Sequence, residues 1–158
     1  MALVAIDPGT REQNAHKSAE KTGVAVFLGG ALSFATACTV EEALLSIKDA
    51  MIGADDDCII EVPQVYPTQY QKGDQNDLIA LAVTVGRYVE RATSCGFRIK
   101  LVKPREWKGQ LSKDMCWARV KETLTLTELA VIPELPKSHA HNMHDAIGLG
   151  TWFQKRWR

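Results

Sequence analysis

The chain opens on a short apolar run, Leu3-Val4-Ala5-Ile6, that ends in an acid, Asp7, and turns at once through Pro8-Gly9-Thr10. A second run, Thr22-Gly23-Val24-Ala25-Val26-Phe27, answers it, and a third, Ala31 to Ala37, follows across Gly29-Gly30. Short apolar and β-branched runs read as buried strands, and a Gly-Gly pair between two of them signals a tight hairpin. The three therefore predict an antiparallel meander whose first corner is the polar loop from Arg11 to Lys21. A carboxylate at the end of a buried strand is penalised by desolvation. Asp7 thus marks a place where chemistry, above all cation binding, offsets that penalty.

Beyond the meander, Thr39 caps a helix over 40–51, with Ala43, Leu44, Ile47, Ala50 and Met51 at helical spacing. Asp55-Asp56-Asp57 reads as a solvated turn, and Cys58-Ile59-Ile60 is a buried strand that also ends on an acid, Glu61. The longest helical pattern runs from Asp74 to Ser94 and is stopped by Gly96; Phe97 to Val102 is the next strand, closed by Pro104. Ser112 caps a helix to about Leu124, Ile132 to Pro136 is a spacer, and a last helix begins near His141 or Asn142. The order β-β-β-α-β-α-β-α-α predicts a single α/β domain over 1–158, a mixed five-stranded sheet with helices on both faces. If the first and fourth strands are parallel neighbours, Asp7 and Glu61 meet at one edge of that sheet.

With 158 residues the chain suits one domain, and no apolar run approaches the roughly 20 residues of a membrane span. It begins with no basic or Arg-rich leader, so a cytoplasmic location is expected. Cys38, Cys58, Cys95 and Cys116 lie far apart, without a Cys-x-x-Cys pair, and are expected to be reduced and inert. The formal net charge of zero conceals an uneven layout. Residues 1–60 carry four Lys/Arg and nine Asp/Glu (net −5), whereas residues 97–121 carry eight Lys/Arg and two Asp/Glu (net +6). Trp107 and Trp117 interleave that basic stripe, a combination suited to phosphate and base contacts, although a solvated helix face has the same composition.

Three of the four histidines fall in His139-Ala140-His141-Asn142-Met143-His144-Asp145-Ala146. On a helix Asp145 shares a face with Asn142 and His141, while His144 is turned away by roughly 100°. Gly148 and Gly150 then allow close approach to the sheet, bringing Asp145 towards Asp7 and Glu61. Three carboxylates favour magnesium or manganese over zinc. Such ions, bound as a pair, activate water for phosphodiester hydrolysis without a nucleophilic side chain.

Four collinear motifs carry a resemblance: Asp7-Pro8-Gly9-Thr10 with Thr22-Gly23; Glu61 to Tyr66; Lys103-Pro104 with Trp107-Lys108; and His141-Asn142 with Asp145-Ala146. From Met1 to about Trp152 the chain resembles the RuvC-type Holliday junction resolvases, in particular their phage and prophage relatives. The resemblance implies a ribonuclease H-like fold, a homodimer on branched DNA, and magnesium-dependent nicking that leaves 5′-phosphate ends, with manganese able to substitute. It implies Asp7, Glu61 and Asp145 as metal ligands, His141 or Asn142 in the fourth position, and Lys108 beside the scissile phosphate. Two departures stand out: about ten residues inserted between Thr10 and Thr22, and a neutral Asn142 where the family commonly has Asp or His. Lys103, Arg105, Trp107, Lys113 and Arg119 are the expected DNA contacts of the stripe, and Tyr66 and Tyr70 the expected stacking residues of the loop after Glu61. The helix from Asp74 to Ser94 is more apolar than one buried face requires and is the expected dimer surface. Competing classes are a ribonuclease H-like nuclease of flaps, forks or hybrids, and an inactive module that binds branched DNA. The actin-like kinases and ATPases need two such domains.

Overall fold

The computed structural model describes residues 1–9, 22–50, 53, 55–65 and 75–157. Strands β1 (Ala2–Asp7), β2 (Thr22–Leu28), β3 (Ala31–Cys38), β4 (Asp57–Glu61) and β5 (Arg98–Val102) form one sheet in the order β3-β2-β1-β4-β5. The meander β1-β2-β3 is antiparallel, as its hairpin signals require; Gly29 and Gly30 take φ of 58° and 89°, which is why glycine occupies both. β1 pairs parallel with β4 and β4 with β5, so the sheet is mixed, and Ile6 lies opposite Ile60. The expected α/β class, with helices on both faces, is observed.

Side-chain alternation divides the core. Leu3 and Ala5 of β1 and Ile59 of β4 face α4 (Lys113–Thr123) and α6 (Lys137–Phe153), with Val120, Met143, Ala146 and Ile147 in one cluster. Val4, Ile6, Cys58 and Ile60 face α1 (Val40–Asp49) and α2 (Gln75–Ser94), with Ala43, Ile47, Val85 and Tyr88 in the other. This period of two decides where the strand-end acids point. Asp7 and Glu61 both stand on the odd-numbered face, that of α6.

Several elements differ from the sequence expectation. Pro104 does not merely close β5; it is the first residue of a short helix, α3 (Pro104–Trp107), where its missing N–H is harmless. α5 (Leu126–Ala130) was not expected, although Thr125 and Glu128 form a capping box. α6 begins at Lys137, directly after Pro136, rather than near His141. The Asp triplet is not wholly solvated: Asp56 is buried and accepts bonds from the Ala2 and Gly53 amides, while Asp57 pairs with Arg98 at 3.0 Å. Glu128 is buried as well, accepting the Leu32 amide at 2.8 Å and pairing with Arg156 at 2.6 Å. The Arg156 bond, ahead of the cost of burial, holds its carboxyl down at about 2.

Cys38, Cys58 and Cys116 are buried, Cys95 is half-buried, and none of the four is in a disulfide. Burial pushes the Cys58 thiol up to about 12, consistent with an inert core residue. Among the described residues, no helix is long and apolar enough to cross a membrane.

Candidate active site

The parallel register that sets Ile6 beside Ile60 carries Asp7 and Glu61 to the same edge of the sheet. α6 is held down over that edge by a glycine. Gly23 pairs with Asp7 in the β1–β2 ladder, and a Cβ built on Gly23 would lie 1.9 Å from the Asn142 carbonyl oxygen. Only a residue without a side chain admits the Asn142 turn so close to the strand pair, and one turn further on is Asp145. Gly150 admits the sheet as the sequence implies, giving place to Phe27 of β2, whereas Gly148 gives place to a residue outside the sheet. The space their side chains would occupy is taken by the rings of Trp107 and Phe27, whose atoms would stand 2.8 and 2.2 Å from a Cβ on each glycine.

Lys108 joins the acids. Its Nζ donates to Asp145 Oδ2 at 2.8 Å and lies 3.5 Å from Glu61 Oε2. Trp107 Nε1 donates to the same Glu61 oxygen at 2.6 Å. All three acids are largely withdrawn from solvent, so electrostatics here are strong. Burial first, then the proximity of Glu61 and Asp145, raises the Asp7 carboxyl well above the ordinary range. Burial also raises Glu61, against the opposing pull of Lys108 and the Trp107 bond. For Lys108, burial opposes the charge, but Glu61, Asp145 and Asp7 together outweigh it and hold the ammonium more basic than usual.

Three carboxylates against one lysine leave an excess of negative charge served by hard oxygen donors, which fits a divalent cation. Among the described residues, no three His, Cys, Asp or Glu side chains stand ready to enclose one. The lysine ammonium is instead the cation holding two of the acids.

The remaining expected residues fall into three groups. Asn142 is buried and His141 half-buried on the turn before Asp145. His144, turned away as helical geometry requires, stacks on Trp117 with ring centroids 3.7 Å apart, and burial holds its imidazole down at about 4. Lys103, Arg105, Lys113 and Arg119 are exposed, and Lys113 is near enough for its charge to favour ionised Asp7. The stripe is nevertheless not one surface: Arg98 is at the opposite end of β5, paired with Asp57, and Lys100 lies over the Trp152 and Phe153 rings. Trp107 corrects the expectation of a DNA contact. It is 3 % exposed, packed in the core under α6, and its indole has no face free for a base. Tyr66, Tyr70, Thr10 and the loop from Arg11 to Lys21 lie outside the described residues.

No protein-family model matches the sequence, and no curated protein matches it. Solved structures do. A Thermus thermophilus RuvC in complex with a Holliday junction substrate superposes with a TM-score of 0.61 at 13 % identity, covering 98 % of this chain and 95 % of that one. A second T. thermophilus RuvC structure gives a TM-score of 0.50 at 16 % identity, covering 98 % and 96 %. At these identities the likeness is one of fold, and the fold of this chain is the ribonuclease H-like α/β architecture of RuvC.

Proposed function

We propose that the protein is a structure-selective endonuclease of the phage and prophage RuvC-type branch, resolving four-way DNA junctions by metal-dependent phosphodiester hydrolysis to leave 5′-phosphate ends. The observation that carries this reading is the convergence of two strand-end acids, Asp7 and Glu61, with Asp145 of α6 and Lys108 at one edge of the sheet. The similar RuvC structure, solved in complex with a Holliday junction substrate, supports the choice of branched DNA.

In this reading Asp7, Glu61 and Asp145 hold magnesium, or manganese in its place, with His141 or Asn142 as the fourth ligand. The metal supplies an activated water and stabilises the leaving oxygen. Lys108, released from Asp145, places its ammonium against the scissile phosphate. Lys103, Arg105, Lys113 and Arg119 bind the backbone, and Tyr66 and Tyr70 stack on bases near the cut. A single domain over 1–158 acts as a homodimer in the cytoplasm. α2 offers the dimer surface: Ile79 and Val83, each 63 % exposed, border a groove of about 360 Å³ with Asn76, Ala80, Thr84 and Arg87.

The test is cleavage of a synthetic four-way junction beside duplex, flap, fork and RNA-DNA hybrid controls, with and without magnesium. Paired nicking confined to junctions and dependent on metal supports the reading. Preference for the other substrates assigns the site to a different ribonuclease H-like nuclease, and binding without cutting in either metal marks an inactive module.

A further inference from the structure

Trp107 performs a task that its place in the core does not require. A buried indole needs one acceptor for its N–H, and a backbone carbonyl is the usual choice. Here the acceptor is the carboxylate of Glu61, 2.6 Å away and 46 residues distant in sequence. The ring is locked on every side: it meets Trp157 edge-on with centroids 6.0 Å apart, Lys108 Nζ lies 4.8 Å from its centroid, and it fills the space that Gly148 leaves on α6. Both contacts to Glu61, from Trp107 and from Lys108, fall on Oε2. Among the described residues Oε1 takes none.

We infer that Trp107 is a positioning residue for the metal site, pinning Glu61 through Oε2 so that Oε1 alone is presented to the cation. The inference rests on the metal-dependent reading above and adds to it a named support residue. Metal-ligating carboxylates held by such partners lose affinity when the partner is removed, by about 10- to 100-fold. Gly148 belongs to the same device, since a side chain there would press on the Trp107 ring and tilt its N–H from Glu61.

The experiment is calorimetric titration of the metal-free protein with manganese, comparing wild type, Trp107→Phe and Gly148→Ala, with thermal melts of each metal-free protein as the control for folding. Folded Trp107→Phe is expected to bind manganese about tenfold or more weakly, with Gly148→Ala weakened in the same direction. In the wild-type protein, the Trp107 indole N–H resonance, assigned against Phe variants of the other three tryptophans, is expected to shift on titration with diamagnetic magnesium. Affinity in folded Trp107→Phe within twofold of wild type overturns the inference. If that variant does not fold, an indole resonance indifferent to magnesium overturns it and a shifting one supports it. Absence of manganese binding by the wild type overturns the metal-dependent reading itself, and the inference with it; the two failures are thereby distinguished.

Discussion

Lys108 and Asp145, 37 residues apart, are joined by a bond of 2.8 Å between Nζ and Oδ2 in a setting where little of either side chain reaches water. The pair ties the short helix α3 to α6 across the edge where Asp7 and Glu61 end. A cation is thus already present among the acids, and in the reading proposed here it must move when metal enters.

Removing that cation exposes the repulsion among the acids. Lys108→Met is expected to lower the stability of the metal-free protein at pH 7 by about 1–3 kcal/mol, below the usual cost of breaking a fully buried pair because the site retains some solvent. Saturating magnesium restores much of the loss by binding the folded state alone. Urea denaturation with chelator and with magnesium measures both effects.

Asp7 sets a pH dependence of definite sign. Its folded carboxyl is raised above the unfolded value, so its contribution is favourable at low pH and is lost as pH rises through the raised folded value. Between pH 7 and the ordinary carboxylate range, the metal-free protein is therefore expected to gain stability from this group as the pH falls. Asp7→Asn removes the dependence and is expected to be more stable than wild type at pH 7 without metal. Manganese affinity runs the other way, rising with pH because the ligand must lose its proton. Melts and titrations across that range check the two signs together.

Gly23 positions α6. The Cβ introduced by Gly23→Ala would overlap the Asn142 carbonyl, which is backbone and cannot rotate away. The variant is expected to lose about 2–3 kcal/mol of stability through overpacking. Junction cleavage is expected to fall further than the loss of folded protein explains, since Asp145 moves with the helix. Denaturation and single-turnover rates at equal folded concentration separate the two.

Ile79 and Val83 on α2 give the dimer proposal its own test. Light scattering at micromolar concentration is expected to give twice the monomer mass for wild type and the monomer mass for Ile79→Glu with Val83→Glu. A monomeric wild type contradicts the proposal.

The parts of the site visible in the sequence were those set by the strand period. Asp7 and Glu61 announce themselves as acids after apolar runs, and Asp145 with Asn142 and His141 follows from helical spacing; the sheet then brings the two strand ends together as parallel pairing requires. Trp107 reads in sequence as a DNA contact because its neighbours Arg105 and Lys108 are basic, while the feature that buries it, the missing side chain of Gly148, is 41 residues away. Lys108 was legible through family resemblance, not through its charge, which looks the same in sequence as that of the exposed lysines. α5 did leave a signal, the capping box of Thr125 and Glu128, but a five-residue helix shows no periodicity. Nothing local foretells that Glu128 also meets Arg156 and the Leu32 amide.

Under the function proposed above, Asp7, Glu61 and Asp145 form a metal-dependent centre that cuts branched DNA. Its most direct measurement is the cleavage of a radiolabelled four-way junction by wild type and by Asp7→Asn in magnesium, with junction binding recorded for both in calcium. Paired nicks are expected from wild type, with a loss of cutting of at least about a thousandfold in the variant and retained binding. Cleavage by Asp7→Asn at the wild-type rate, or by wild type in the absence of any divalent metal, would contradict it.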